Sequence, residues 1–389
     1  MSASNALSPG DPSSFSRPDQ CAITDISLDV KIDFGRKVVH GTATYKCKKV
    51  LAGADSLILD TDQLTIFKVY CKQTSQDLQF SVGEPVGKFG SKLQITLLTS
   101  FPDDGEFEIC VDYENSPAAT GLQWMPANLT AGKRQPYLYS QLQSIFARTV
   151  LPCQDTPSVK HTYSARVTVD KALTVLMSAV PSPTEPAPND QVTYIFQQPV
   201  PIPCYLIAIA VGDLTSKKIG SRTTVWAESE MIDKAAWEFE KAEQMLTTAE
   251  ELCGPYIWGV YNILVLPPTF PYGGIENPCL TFAAPTLIVG DRSLTTVIAH
   301  EITHSWTGNL VTNFNWEHFW LNEGHTMFVE RKIIGRLHGE DDRQFSMNSG
   351  WTDLAHTIKE FGPTNPLTKL VLDLTDGTHP EDSFFSRAV

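Results

Sequence analysis

The sequence predicts a chain of two domains, an all-β domain followed by a mixed α/β domain, and three observations support this fold class. The chain has 389 residues, of which 42% are hydrophobic and 19% are charged, enough to bury a large core. From Ala22 to about Asp213, apolar and polar residues alternate with a period of two, which is typical of half-buried strands. After Trp226 the apolar residues recur at helical spacing instead. We therefore place a domain boundary near residue 214.

The first twenty residues are polar and lack the apolar core of a secretory signal. We expect residues 1–20 to form a disordered leader and the protein to be cytoplasmic. The eight cysteines show no C-x-x-C spacing, which is typical of reduced, mostly buried thiols. The longest apolar run, Tyr205–Val211, is too short to span a bilayer and predicts a buried strand. The expected protein is a monomer without a membrane span.

The all-β domain, residues 21–213, is predicted from alternating segments that are separated by clusters of Gly, Pro, Asn and Asp. Clear examples are Ile26–Asp33, Leu93–Leu97 and Tyr163–Val169. Every second residue in them is apolar, so one face of each strand would be buried and the other solvated. The proline-rich stretch Pro181–Pro188 is predicted to be an exposed hairpin loop.

The charge balance limits the kinds of partner. The 30 Lys and Arg residues against 44 Asp and Glu residues leave a formal net charge of −14. Nucleic-acid binding depends on clustered cations, so this composition argues against a nucleic-acid partner. A cationic or neutral substrate fits better. The simpler interpretation, which holds for most of these carboxylates, is that the excess negative charge keeps the protein soluble.

The α/β domain begins with a stretch rich in helix formers, Glu228–Leu246. Asn262–Leu266 then predicts a buried strand, closed by two prolines, which leads into the hexapeptide Tyr272–Asn277. The paired glycines of this hexapeptide would let the backbone approach a ligand closely, and its Glu276 precedes the motif described next by two dozen residues. The alternative interpretation is a tight turn with a solvated carboxylate.

The motif around which the chain is organised is H-E-x-x-H at residues 300–304, inside a stretch with helical apolar spacing. Residues four apart lie on one face of a helix, about 6 Å apart along its axis, so His300 and His304 can bind one cation. Zn²⁺ accepts two imidazoles and one carboxylate and leaves a fourth position for water. Glu301, between the histidines, would act as the general base.

A third protein ligand is expected further along the chain. Glu323 is the preferred candidate, with eighteen residues between it and His304. Gly308 and three asparagines in that interval suit a turn into a second helix, predicted at about His318–Leu337. Two helices would then meet across one metal ion.

Other interpretations of the motif remain open. His318 and His325 are alternative third ligands, whereas a metzincin pattern would need a histidine where the chain has Leu310. An H-E-x-x-H pattern also occurs by chance on surface helices, but the Asn-Glu pair at this distance makes chance the weaker interpretation.

Together with the Gly-x-x-Glu-Asn element at residues 273–277, these motifs resemble the zinc aminopeptidases of the gluzincin type. Other segments resemble the branch of that family whose members also open the epoxide of leukotriene A4 to give leukotriene B4. These segments are Gln141–Gln143, Leu151–Lys160, Pro201–Tyr205, Pro271–Phe282 and Phe319–Thr326. The resemblance covers about residues 21–376. It implies an N-terminal all-β saddle-like domain, a thermolysin-like zinc catalytic domain and a C-terminal helical domain.

By position, the resemblance implies one Zn²⁺ per chain, bound by His300, His304 and Glu323, with Glu301 as the general base. Glu276 would hold the free α-amine of a substrate peptide. The other implied substrate-binding residues are Gln141, Gln143, Tyr272, Gly273, Gly274 and Ile275. Ile275 stands where Met is common, a change that keeps an apolar side chain of similar size. The implied substrates are small peptides with a free N-terminus and leukotriene A4.

The resemblance stops before a divergent tail, residues 377–389. The zinc catalytic domain, residues 214–376, is therefore expected to be incomplete at its C-terminal end. The Tyr, Asp and basic residues that such enzymes use for the oxyanion, the epoxide and the substrate carboxylate are expected to be missing. Two hypotheses follow: a working aminopeptidase and epoxide hydrolase, or a zinc-binding, catalytically impaired chain that binds peptides or partner chains.

Overall fold

The computed structural model describes residues 7–383. The first six residues of the predicted leader and the last six of the predicted tail lie outside the described residues. The chain divides into two compact units, Met1–Asp213 and Leu214–Val389. Across residues 7–383, no helix combines the length and the apolar character that crossing a bilayer requires.

The first unit is built from β-sheets. Its strands are β1 (Cys21–Asp33), β2 (Val38–Lys49), β3 (Ser56–Thr61), β4 (Thr65–Cys71), β5 (Phe80–Val82), β6 (Ser91–Thr96), β7 (Glu106–Glu114), β8 (Leu122–Met125), β9 (Tyr137–Ser140), β10 (His161–Asp170), β11 (Thr174–Met177), β12 (Val180–Ala187), β13 (Gln191–Ile202) and β14 (Ile209–Gly212). Within residues 7–213 they form sheets of seven, four and three strands, ordered β12-β13-β10-β1-β2-β7-β4, β11-β14-β9-β8 and β3-β6-β5. The pairing of β1 with β10 is parallel.

Alternation of apolar and polar residues explains these strands. In β1, Ile26 and Leu28 are buried while Lys31 is exposed, as a period of two requires. The strands predicted at Leu93–Leu97 and Tyr163–Val169 are confirmed as β6 and β10. The N-terminal unit therefore has the all-β structure that the sequence predicts.

Two segments of the first unit differ from their predicted structure. The proline-rich stretch is an edge strand, β12, and not a hairpin loop, since Pro181 and Pro186 both pair with β13. An edge strand needs hydrogen-bond donors on one side only, so it tolerates proline. The run Tyr205–Val211 is a strand only from Ile209, because a 3₁₀ turn at Cys204–Leu206 precedes it.

Residues 7–20 pack against the first unit, which corrects the predicted disordered leader. The Ser14 hydroxyl donates to Asp60 Oδ2 at 2.6 Å, and Asp60 is fully buried. The buried guanidinium of Arg148 donates from Nη1 to the Ser13 carbonyl at 2.9 Å. Hydrogen bonds to buried polar groups hold the segment in place, and a search for apolar periodicity does not detect such bonds.

The second unit combines a mixed sheet with helices. Its strands are β15 (Leu214–Lys218), β16 (Thr223–Glu228), β17 (Tyr261–Val265), β18 (Gly274–Ile275) and β19 (Leu280–Ala283), and its helices are α1 (Ile232–Glu238), α2 (Ala242–Cys253), α3 (Thr296–Thr303), α4 (Trp320–His338) and α5 (Glu340–Phe361). The sheet order is β15-β16-β17-β19-β18. The three central strands are parallel, and each edge strand is antiparallel to its neighbour.

These elements confirm the predicted α/β character of the second unit. The helix-forming stretch is two helices, because the chain turns at Phe239, which is buried. The strand predicted at Asn262–Leu266 is β17. The helix predicted to begin at His318 begins at Trp320, because a 3₁₀ turn at Trp316–His318 precedes it.

Candidate metal centre

Helix α3 places the two histidines of the H-E-x-x-H motif side by side. His300 lies in the last turn of α3, and His304 is the residue that caps this helix. Ile298 and Ile302 are buried, and this apolar face fixes the orientation of the helix. The Nε2 atoms of the two imidazoles lie 3.0 Å apart. The imidazoles therefore converge on one point, as a spacing of four residues predicts.

Helix α4 brings a carboxylate to the same point. Asn315 caps the 3₁₀ turn before α4, since its side chain accepts a hydrogen bond from the Glu317 N–H. Glu323 follows in the first turn of α4, and its Oε2 lies 3.3 Å from His300 Nε2 and 3.7 Å from His304 Nε2. Burial acts to raise the pKa of Glu323, but the two imidazoles outweigh burial and lower this pKa below its ordinary value.

The outer nitrogens of both imidazoles contact hydrogen-bond acceptors. His300 Nδ1 lies 3.1 Å from Glu330 Oε2. His304 Nδ1 lies 2.9 Å from the Thr307 carbonyl oxygen and 3.1 Å from the Thr326 hydroxyl. Because the carboxylate and the carbonyl accept hydrogen bonds, these contacts favour the neutral tautomer of each ring that carries its hydrogen on Nδ1 and directs the Nε2 lone pair inward. Such contacts orient ligating histidines and make them more basic.

This donor set fits a zinc ion. With both rings carrying hydrogen on Nδ1, the two Nε2 lone pairs 3.0 Å apart and the carboxylate oxygen repel one another unless a metal ion or a proton lies between them. The ligand atoms of His300, His304 and Glu323 all lie within 4.8 Å of one another, and two imidazoles with one carboxylate form a ligand set of catalytic Zn²⁺. Within residues 7–383, the groups whose ligand atoms lie close enough to share a metal ion contain neither His318 nor His325, which favours Glu323 as the third ligand.

Glu301 lies beside the ligands and against the backbone of Gly274. Its side chain is 5% exposed, and its Oε2 has no hydrogen-bond partner among the described residues. A Cβ atom at position 274 would lie 2.3 Å from Glu301 Oε1, so glycine alone leaves room for this carboxylate. Burial raises the pKa of Glu301 well above its ordinary value, against an opposite effect of His300, and the Glu276 carboxylate raises it further.

A second buried acid, Glu276, comes to this point from the loop after β18. It is 4% exposed, and its carboxylate lies within 4.8 Å of the ligand atoms of Glu301 and His304. The Asn309 side-chain amide donates to the Glu276 carbonyl at 2.7 Å, which joins this loop to the turn after α3. The alternative of a solvated turn carboxylate is therefore wrong.

The other residues of the hexapeptide lie at the edge of the sheet of the second unit or just before it. Gly274 and Ile275 are the two residues of β18, paired with β19, and Gly273 comes just before them. The Tyr272 hydroxyl donates to Glu381 Oε1 at 2.7 Å. The hexapeptide is thus in contact with a residue of the segment that was predicted to be a divergent tail.

Gln141 and Gln143 lie in the first unit, in the segment that follows β9. The Gln141 N–H donates to the Gly121 carbonyl at 2.9 Å, and the Gln141 Nε2 lies 3.5 Å from the Gln143 carbonyl oxygen. Their role in substrate binding stays a prediction.

Sequence reasoning missed Thr326, Glu330 and Glu381. The first two follow Glu323 by three and seven residues, on the same face of α4, and this spacing could have identified them. Glu381 carries no comparable signal, because 109 residues separate it from Tyr272.

Two models of one family match the chain. The model for the peptidase M1 N-terminal domain matches residues 19–206, and the model for the peptidase family M1 domain matches residues 237–383. The chain therefore belongs to peptidase family M1. The second match includes the H-E-x-x-H motif and runs past residue 376, so the expectation that the likeness ends there is corrected for residues 377–383.

Its relatives include a leukotriene A-4 hydrolase from Xenopus laevis, 48% identical over 94% of this chain and 60% of the relative. Leucine aminopeptidase 2 from Yarrowia lipolytica is 43% identical over 97% of this chain and 58% of the relative. The solved structure of yeast LTA4 hydrolase in complex with bestatin is similar with a TM-score of 0.90 at 40% identity, over 97% of this chain and 58% of that one. The chain thus spans 58–60% of the length of these relatives.

These likenesses confirm the predicted fold class. An M1 N-terminal β domain precedes an M1 catalytic domain along the chain, and the fold is similar to that of the yeast LTA4 hydrolase structure. The resemblance to leukotriene A4 hydrolase that the motifs indicate is confirmed as well.

Proposed function

We propose that the chain is a zinc-dependent aminopeptidase that removes N-terminal residues from short peptides. One observation carries the proposal: two buried carboxylates, Glu276 and Glu301, lie within 4.8 Å of the His304 ligand atom. A peptidase of this kind needs one carboxylate for proton transfer and another for the substrate amine. Both are present beside a set of ligands that suits zinc.

His300, His304 and Glu323 would hold one zinc ion, which supplies an open position and lowers the pKa of bound water to about 7. Glu301 is the general base in this proposal, because its carboxylate is buried and has an unpartnered oxygen among the described residues.

Glu276 is the anchor for the substrate's α-ammonium group. A charge-assisted hydrogen bond between these groups contributes about 1.5–3 kcal/mol and places the first peptide bond next to the base. The edge strand β18 offers main-chain groups to an extended peptide beside this anchor. The relatives named leucine aminopeptidase support this activity.

The test compares three proteins after zinc loading: the unaltered chain, Glu301→Gln and Glu276→Ala. We expect Glu301→Gln to keep its zinc and to lose hydrolysis of an aminoacyl chromogenic substrate, because Glu301 is not a ligand. Glu276→Ala should bind free-amine peptides about 10- to 150-fold more weakly and N-acetylated peptides with unchanged affinity. Equal binding of free and acetylated peptides by the unaltered chain would reject the amine anchor.

Metal analysis tests the ligand assignment separately. His304→Ala should lose zinc, whereas His325→Ala, a histidine on α4 outside the cluster, should keep it. Full zinc occupancy in His304→Ala would contradict the assignment of His304 as a zinc ligand.

We also propose hydrolysis of the leukotriene A4 epoxide to leukotriene B4 as a second activity. It is supported by the relatives and by the carboxylate of Glu381 at the Tyr272 hydroxyl, since a carboxylate can direct a water to the opened epoxide. Glu381→Gln should lower formation of leukotriene B4 and leave zinc content unchanged.

If the zinc-loaded chain binds free-amine peptides but hydrolyses neither substrate, the alternative of a catalytically impaired, peptide- or partner-binding protein holds. A cytoplasmic monomer remains part of the proposal.

A further inference from the structure

A cavity of about 330 Å³ lies where the end of α2, the second half of α4 and the start of α5 meet. Its lining contains three cations, Lys332, Arg336 and Arg343. This concentration of positive charge occurs in a chain whose net charge is −14. None of the three side chains belongs to the metal centre or to the hexapeptide.

The backbone of α4 is adapted to bring the three cations together. Lys332 and Arg336 are four residues apart, on one face of α4. Arg343 reaches them from α5 across Gly335, where an added Cβ atom would lie 3.0 Å from Arg343 Cδ. A side chain at position 335 would therefore crowd the aliphatic part of Arg343.

The positive charge of this cavity is only partly neutralised. Glu340 pairs with Arg343, whose Nε lies 2.7 Å from Glu340 Oε2. Among the described residues that line the cavity, Glu340 is the only carboxylate. The Lys332 ammonium lies 5.0 Å from the ring centroid of Phe328, a contact that leaves its charge uncompensated. One carboxylate against three cations leaves two positive charges in excess.

We infer that this cavity binds a compact multivalent oxyanion of the phosphate class. The Arg336 guanidinium and the Lys332 ammonium match the tetrahedral oxygens of a phosphate, because arginine donates in a fixed fork and lysine adds a point charge. Arg343 joins them where the anion displaces the Glu340 carboxylate, which pairs with both Nε and Nη2 of Arg343. The volume accommodates a group of pyrophosphate size. Asp341 and Asp342, in the first turn of α5, would repel a longer polyanion. The site thus differs in kind from a nucleic-acid surface.

The bound anion would join two helices of the second unit. Helix α4 carries Glu323 near its start and two of the cations near its end, while Arg343 belongs to α5. A ligand that binds the folded state alone raises thermal stability with its concentration. We therefore expect pyrophosphate to raise the melting temperature of the chain.

The experiment titrates inorganic pyrophosphate into the full chain by calorimetry, at constant ionic strength. Three proteins are compared: the unaltered chain, Lys332→Gln/Arg336→Gln, and Lys359→Gln, which removes an exposed lysine of α5 outside the cavity. The double variant should bind at least about tenfold more weakly, and Lys359→Gln should match the unaltered chain. Equal affinity in all three proteins would overturn the inference. Pyrophosphate that binds at the metal centre instead of the cavity would give this result, because none of the variants alters the metal centre.

A second variant tests the site in the opposite direction. Glu340→Gln removes the carboxylate that competes for Arg343, so it should tighten pyrophosphate binding several-fold while the fold is kept. This result would support the site even if the double variant failed to fold. Unchanged or weaker binding by Glu340→Gln would contradict it.

Discussion

At the scale of single residues, the contact between Gly274 and Glu301 determines where the proposed general base can lie. A methyl group at position 274 would fall 2.3 Å from Glu301 Oε1, far inside van der Waals distance. Gly274→Ala should therefore displace the carboxylate and lower kcat/KM for an aminoacyl substrate by about 10²-fold, while zinc content stays unchanged. Steady-state kinetics and metal analysis of the purified variant measure the two effects.

The neighbouring glycine provides a matched control. A Cβ atom at position 273 would meet only Val297 Cγ1, at 3.6 Å, which is an ordinary contact. Because an added methyl group there does not meet Glu301, Gly273→Ala should lower kcat/KM less than Gly274→Ala does. If both alanine variants lose activity equally, flexibility of the loop matters more than room for Glu301.

At the scale of secondary-structure elements, one carboxylate of α2 holds the hairpin between β15 and β16. Glu243 accepts hydrogen bonds from the Ser221 hydroxyl at 2.9 Å and from the Arg222 N–H and the Thr223 hydroxyl at 3.0 Å each. Burial opposes ionisation, but these bonds outweigh burial and lower the pKa of Glu243 to about 2. The ionised carboxylate therefore stabilises the folded state.

This lowered pKa predicts how the stability that Glu243 contributes to the folded state depends on pH. The stabilisation is complete above pH 4.5, the ordinary pKa, and is lost as the pH falls towards 2. Glu243→Gln should thus destabilise the chain by roughly 2–3 kcal/mol at pH 7, and the difference should shrink by more than half at pH 3. Urea midpoints of both proteins at the two pH values provide the measurement. A difference that does not depend on pH would assign the effect to packing.

Periodicity predicted the elements whose formation depends on apolar burial. Strands β1, β6 and β10 and helix α3 have regular apolar spacing, and they were predicted to within a few residues. Helix α4 was predicted instead from the glycine and the asparagines of the turn before it. Strand β12 was missed because proline usually indicates a loop. As an edge strand, β12 needs hydrogen bonds only on the side that faces β13, so it tolerates its prolines. Glu276, by contrast, was located from the motif alone, since a glycine pair beside an acid is a local pattern.

At the scale of the whole molecule, residues 7–16 complete the first unit. They supply hydrogen bonds to Asp60 and Arg148, both of which are buried. A chain that starts at residue 17 leaves these partners without those bonds, at a cost of about 1–3 kcal/mol for each buried group. We expect its first unfolding transition in calorimetry to occur at a lower temperature. Composition could not predict this role, because it depends on partners far along the chain.

Zinc content and a surface variant serve as controls for that experiment. The metal ligands belong to the second unit, so the shortened chain should still bind zinc. Asp19→Asn breaks only an exposed ion pair with Arg17 and should leave the melting temperature unchanged. A shortened chain as stable as the full one would show that the buried hydrogen bonds contribute nothing net.

The spacing of the metal ligands has a consequence for the order of folding. His300, His304 and Glu323 fall within 24 consecutive residues, so only short loops must close to bring them together. In the first unit, by contrast, the parallel pairing of β1 with β10 joins Asp25 to Thr162. Closing a longer loop costs more entropy, and contacts between distant residues form more slowly. A nascent chain can therefore gather its metal ligands on a faster timescale than it can close the sheet that precedes them in sequence.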